Sequence, residues 1–152
     1  MEEEIITGQQ FINAVRADRI DLVELYIKQG GDLEFRDFNG MTALLWAEHY
    51  NCHDILQLLI DAGADINVTP SKCDFTALIY AVVNLNIKNV HILLMNGADI
   101  TAKSSIIGTA YDAAKTYGYS ELVEILQDVD AWKLKNTLLS KGTTVVKNSN
   151  IF

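Results

Sequence analysis

Three side chains able to bind a metal or act as nucleophiles fall within five residues, His49, Cys52 and His53. Two histidines four apart on one helix can share a metal ion. Here the local pattern ends one helix at His49, turns at Cys52 and starts another at His53, so the required geometry is broken and no metal site is expected. Cys73 lies in a loop ahead of Phe75, read as exposed, and Cys52 is not placed to bridge it. Glu48 is the remaining candidate, but no second acid or base converges on it for general acid–base work. The chain has no phosphate-cradling glycine loop, nucleophile elbow or metalloprotease helix. Neither catalysis nor a cofactor is expected.

The elements that carry these residues recur. Gly30-Gly31-Asp32-Leu33, Gly63-Ala64-Asp65-Ile66 and Gly97-Ala98-Asp99-Ile100 are spaced by 33 and 34 residues. A second ladder, Met41-Thr42-Ala43-Leu44, Phe75-Thr76-Ala77-Leu78 and Gly108-Thr109-Ala110-Tyr111, keeps a constant offset from the first. Each period reads as helix, turn, helix, glycine stop and extended loop. Thr42 is placed to cap a first helix through its hydroxyl. Ile55, Leu56, Leu58, Leu59 and Ile60 give the second an apolar stripe, and Gly63 supplies a left-handed stop. One such unit cannot bury its own apolar faces, whereas stacked neighbours can.

This pattern resembles that of the ankyrin-repeat proteins. The matching segments are Asp37-Phe38-Asn39-Gly40-Met41-Thr42-Ala43-Leu44, Leu58-Leu59-Ile60-Asp61-Ala62-Gly63-Ala64-Asp65-Ile66-Asn67, and Thr109-Ala110-Tyr111-Asp112-Ala113-Ala114 with Gly118-Tyr119-Ser120-Glu121-Leu122-Val123. The resemblance implies an all-α solenoid of helix-turn-helix units joined by β-hairpin-like loops. Repeats are expected at about 5–36, 37–70, 71–103 and 104–130, with a capping helix and basic tail over 131–152. The sequence departs from the pattern at the turn glycine, which is Gly40 in one unit but Asp74 and Ile107 in the next two. Gly108, one place later, is available for that bend. The first unit opens on Gln9-Gln10 without the usual start. Asn67, in its loop, looks like a site the family offers to asparaginyl hydroxylation; the alternative is a side-chain hydrogen bond within its own turn.

Length and charge narrow the function. A chain of 152 residues with 49 % apolar side chains supports one packed domain. Residues 1–130 carry 20 acidic and 8 basic side chains, and the tail adds four lysines. An acidic body of this kind disfavours nucleic acid, whose binding rests on Lys and Arg. No apolar run is long enough to span a membrane. Two cysteines without framework spacing suit a reducing compartment, the cytoplasm or the nucleus.

The repeat register assigns loop tips and the outward side of each first helix to one concave face, as solenoids use for binding. Projected there are Arg16 and Arg36, then Phe38, Asn39, Met41, His49 and Tyr50, then Lys72, Phe75, Val83 and Asn84, then Ser105, Ile106, Thr116 and Tyr117. Phe38, Asn39, Met41, His49, Tyr50, Lys72, Phe75, Val83, Ile106 and Tyr117 are the expected partner contacts; some of the apolar ones could instead staple neighbouring loops. Glu48 shares its slot with Val15, Val82 and Lys115. That slot is read as partly open, where a charge is tolerated or meets a partner. The expected function is a non-catalytic interaction module, monomeric, binding a protein. A regulator like the small ankyrin inhibitors of cyclin-dependent kinases, or a subunit of a larger assembly, are the alternatives. The tail is either a cap or, around 145–152, a docking tag.

Overall fold

A computed structural model describes residues 4–142; residues 145–152, the tag alternative, lie outside them. The described residues form nine helices: α1 (Gly8–Arg16), α2 (Ile20–Lys28), α3 (Ala43–His49), α4 (His53–Asp61), α5 (Ala77–Val83), α6 (Ile87–Met95), α7 (Ala110–Tyr117), α8 (Ser120–Gln127) and α9 (Val129–Ser140). None is long and apolar enough to cross a membrane. Helices α1 to α8 pair in order, each odd helix antiparallel to its even successor. The odd helices α1, α3, α5 and α7 pack successively as one layer, more closely than α2, α4 and α6 do in theirs. One continuous core runs between the layers, with Phe11, Ile12, Leu44, Leu45, Ile55, Leu59, Leu78, Ile79, Leu93 and Leu122 essentially inaccessible.

The threonines at the helix starts behave unequally. Thr76 Oγ1 accepts from the Ile79 amide at 3.3 Å, and Thr109 forms a reciprocal capping box with Asp112. Thr42 holds the same extended backbone, yet its hydroxyl caps nothing and is buried without a partner, contrary to the reading of the sequence. Conversely the first unit does have a threonine start: Thr7 and Gln10 exchange side-chain and backbone bonds.

Each helix pair turns through one left-handed residue, successively Asp18, Asn51, Leu85 and Gly118. Leucine is the misfit, because at φ +54° its Cβ crowds the following carbonyl, at a cost of about 1–2 kcal/mol. Half of Leu85 faces solvent, so little burial is lost on removing it. Leu85→Gly is therefore expected to raise the unfolding free energy by about 1 kcal/mol, the gain being trimmed by glycine's greater freedom in the unfolded chain. A urea midpoint moved upward at constant slope checks it.

The loops are stitched to one another. The Asp65 amide donates to Glu34 Oε1 at 2.7 Å, the Asp99 amide to Asn67 Oδ1 at 2.8 Å and the Ser105 amide to Asp74 Oδ2 at 2.7 Å. Asn67 thus bonds the next repeat's turn through its side chain, not its own. In the fourth unit Gly108, at φ +80°, makes the bend and exchanges two backbone bonds with Ser104. Helix α9 begins at Val129 and covers the end of the stack only in part. Trp132 lies against His91, with ring centroids 4.8 Å apart, while Leu134 and Leu139 remain exposed.

Candidate functional site

The loop before α3 is built around a buried aspartate. Asp37 Oδ1 accepts from the amides of Asn39 at 2.9 Å and Met41 at 3.1 Å, and Oδ2 accepts from Trp46 Nε1 at 2.9 Å. Gly40, at φ +74°, closes the turn; a Cβ there would come within 2.5 Å of Ser71. Arg36, expected on the binding face, instead ties loops together: its Nη1 donates to Gly40 O and Thr69 O, each at 2.8 Å. The loop so fixed holds Phe38 outward, 80 % exposed, and turns Met41 inward onto the core.

Helix α3 presents an aromatic cluster. Trp46 stacks with Tyr50, with centroids 5.6 Å apart, and His49 meets both rings edge-on. The Arg16 guanidinium from α1 sits 5.0 Å from the Trp46 ring centre. In the next unit Phe75 meets Tyr80 edge-on at 5.2 Å, and the Tyr80 hydroxyl lies 3.2 Å from Cys73 Sγ. Burial first, then this thiol and the Glu48 charge, push the Tyr80 phenol well above its ordinary range. Cys73 is accordingly half-buried and not exposed as expected. Cys52 is buried beneath the α3–α4 turn, its thiol pushed up to about 11 by burial and the neighbouring Asp18. A thiol so raised is unreactive. His49 ends α3 and His53 starts α4, and His53 Nδ1 lies 2.7 Å from Asn89 Oδ1. Among the described residues no group of three or more His, Cys, Asp and Glu is placed to hold a metal.

Glu48 departs furthest from the expectation of a partly open slot. It is 1 % exposed, like Val15 and Val82 in the equivalent positions, and neither carboxylate oxygen has a hydrogen-bond partner. Burial raises its pKa to about 7; the Asn84 side chain lies near without forming a hydrogen bond of good geometry and offsets only part of the cost. Glu48 helps line a recess of about 230 Å³ with Met41, Leu45, Trp46, His49 and Tyr80. His49 and Tyr80 also border a broader hollow of about 600 Å³ that reaches Phe75, Val83 and Asn84.

The expected contact residues therefore divide. Phe38, Ile106, Tyr50 and Tyr117 are exposed, as are His49 and Lys72. Met41, Phe75 and Val83 are half-buried and pack on the core, so they staple as well as line the recesses. Asn39 is half-buried in its turn. The recesses bring Met41, His49, Phe75 and Val83 together, whereas Phe38, Ile106 and Tyr117 line neither. Trp46 and Tyr80 were not singled out from the sequence. They occupy the same position in consecutive repeats, 34 residues apart, and an aromatic pair in one repeat slot is the signal that marks them.

Comparison with known proteins follows the same register. The ankyrin repeat family matches residues 11–104 as three copies. The chain is 36 % identical over 95 residues to the mouse B-cell lymphoma 3 protein homolog, covering 62 % of this chain and 21 % of that protein. It is 32 % identical over 122 residues to an ankyrin repeat protein of Fowlpox virus, covering 79 % and 35 %. It is also 28 % identical over 116 residues to an ankyrin repeat protein of Escherichia coli, covering 76 % and 57 %. The chain thus spans about a fifth to a third of the first two. With matched copies, paired helices and left-handed glycine stops all in step, the chain belongs to the ankyrin repeat family, whose repeats mediate protein–protein interaction.

Proposed function

We propose that this chain is a non-catalytic module that holds a protein partner on the face made by its loop tips and first helices. The observation that carries the reading is the row of large apolar side chains left in solvent there: Phe38 and Ile106 about four-fifths exposed, with Tyr50 and Tyr117 about half exposed. Aromatic side chains are enriched in interface cores, and large apolar groups left in solvent on a solenoid's binding face suit a partner contact. The net acidity of the repeats favours a basic partner. Two free thiols, one of them buried, support a reducing compartment, cytoplasm or nucleus.

The test is affinity purification of the full chain from its native cell, followed by titration of the recovered partner. Phe38→Ala and Tyr50→Ala are each expected to weaken binding by about 2 kcal/mol, roughly 30-fold, with helicity unchanged. A control at Lys28, exposed on α2, is expected to change nothing. Unaltered affinity in both face variants would remove this face from consideration.

A subunit role is the second reading, and the exposed Leu134 and Leu139 on α9 favour it. Sedimentation of the isolated chain separates the two, since a subunit is expected to self-associate and a module to run as a monomer.

A further inference from the structure

The concave-face reading leaves one group unexplained, a carboxylate sealed in the wall of a recess with neither oxygen hydrogen-bonded, the nearby Asn84 amide offsetting only part of its burial. An ionised carboxylate buried unpaired is among the costlier arrangements in a protein, and a cation with N–H donors removes the cost. The surroundings fit such a cation. Trp46 and Tyr80 border the same recess as Glu48, and indole and phenol rings attract positive charge at their faces. Trp46 already holds one cation, the Arg16 guanidinium. Met41 and Leu45 supply an aliphatic wall.

We propose that this recess is a receptor for one lysine side chain of the protein partner, its methylene stem along Met41 and Leu45 and its ammonium on the Glu48 carboxylate. Lysine suits it better than arginine. A compact ammonium can be satisfied by a single carboxylate and ring faces, whereas a planar guanidinium has five donors to place. The acidic repeat body draws such a side chain in. The Glu48 oxygens are shielded in the free protein, so entry requires a wall side chain to turn; Met41, unbranched and half-buried, and the exposed His49 both border the recess. This inference rests on the proposed binding face and names the chemistry that face recognises.

Binding requires the ionised form of Glu48, so protonation competes with the ammonium, and the displaced proton goes to solvent. The other titratable or charged groups nearby are His49 on the same helix, Tyr80 from α5 with Cys73 behind it, Asp37 across the Trp46 indole and Arg16 from α1. A Glu48 variant separates the contribution of its carboxylate from those of these neighbours.

The experiment is an NMR titration of the full chain with N-acetyl-lysine methylamide and with its norleucine counterpart, which lacks the ammonium. The chain has two tryptophans. The Trp46 indole signal reports the recess, and that of Trp132 on α9 reports an intact fold. The lysine probe is expected to shift Trp46 saturably with a dissociation constant on the order of 1–10 mM, and norleucine to bind at least tenfold more weakly. Affinity for lysine is expected to rise from pH 6 to pH 8, and Glu48→Gln to lose both the affinity and that dependence. Equal binding of the two probes, retained affinity in Glu48→Gln, or an unmoved Trp46 signal at about 10 mM would each overturn the proposal. The probe comparison uses the unaltered chain, so it stands even if the variant folds poorly. Its failure is distinct from failure of the binding face, which the Phe38 and Tyr50 variants read.

Discussion

Asp37→Ala is expected to lower the unfolding free energy by about 3–4 kcal/mol, the largest single effect outside the apolar core. Three donors converge on this carboxylate, two amides of its own loop and the Trp46 indole. Hydrogen bonds to a charged acceptor contribute about 1.5–3 kcal/mol each, and three on one group are not additive. The loss stops short of the sum because the loop amides can turn to water, while the half-buried indole is less able to. Asp37→Asn keeps an acceptor but sets an amide N–H against a donor, so about half the loss is expected. Urea unfolding at pH 7 measures both. The Asp37→Ala variant is also expected to bind partner poorly at temperatures where it stays folded, because the turn presenting Phe38 is no longer fixed. A loss below about 1 kcal/mol would mean that the loop is held by something else.

Glu48→Val should act in the other direction, stabilising the protein above neutral pH. Valine already fills this slot in two sister repeats. The sign follows from linkage. With its folded pKa at about 7 and an ordinary value of 4.5 when unfolded, Glu48 keeps its proton in the native chain where the unfolded chain has lost it. Stability therefore falls as pH rises from 4.5 to 7 and is flat beyond. At 1.36 kcal/mol per unit the whole drop is about 3 kcal/mol. Glu48→Val is expected to recover about 2–3 kcal/mol at pH 8, to gain nothing near pH 4.5, and to flatten the curve between. Asp21, Asp74, Asp99 and Asp112 are held below their ordinary range by hydrogen bonds, so their contributions fade only as pH falls through the low carboxylate range. The difference between native and Glu48→Val denaturation midpoints taken from pH 5 to 8 thus isolates Glu48. If the lysine receptor is real, this stabilised variant is the one that fails to bind, and the ammonium of a partner would do in the complex what valine does in the free chain.

What could be read from residue order alone was whatever repeats. Glycine stops at Gly30, Gly63 and Gly97 recur because each chain reversal needs a left-handed residue, and all three have positive φ. Helix pairs follow from the apolar stripes between them. The misreadings concern single side chains against the next repeat. Glu48 was placed in a half-open slot partly because Lys115 shares it. Among the described residues no first helix stacks after α7 and Lys115 there is exposed, whereas Tyr80 of the following unit borders Glu48. Thr42, Thr76 and Thr109 are identical residues in identical register, yet only two of these hydroxyls reach an amide. Capping turns on tenths of an ångström that residue type does not carry.

The stitching of the loops has a mechanical result. Amide-to-side-chain bonds join successive turns along one border of the array, and such bonds are directional and stiffen quickly when stretched. The opposite border, along α2, α4 and α6, is joined mainly by side-chain packing, with two side-chain pairs, His53 with Asn89 and Gln57 with Asn96, bridging its second and third members. Packing is non-directional and lets surfaces slide. Thermal bending should therefore pivot about the turn border, fanning the far helices while the spacing between Phe38 and Ile106 hardly alters. A ligand laid across the turns would meet a ruler of fixed graduation, backed by a spring.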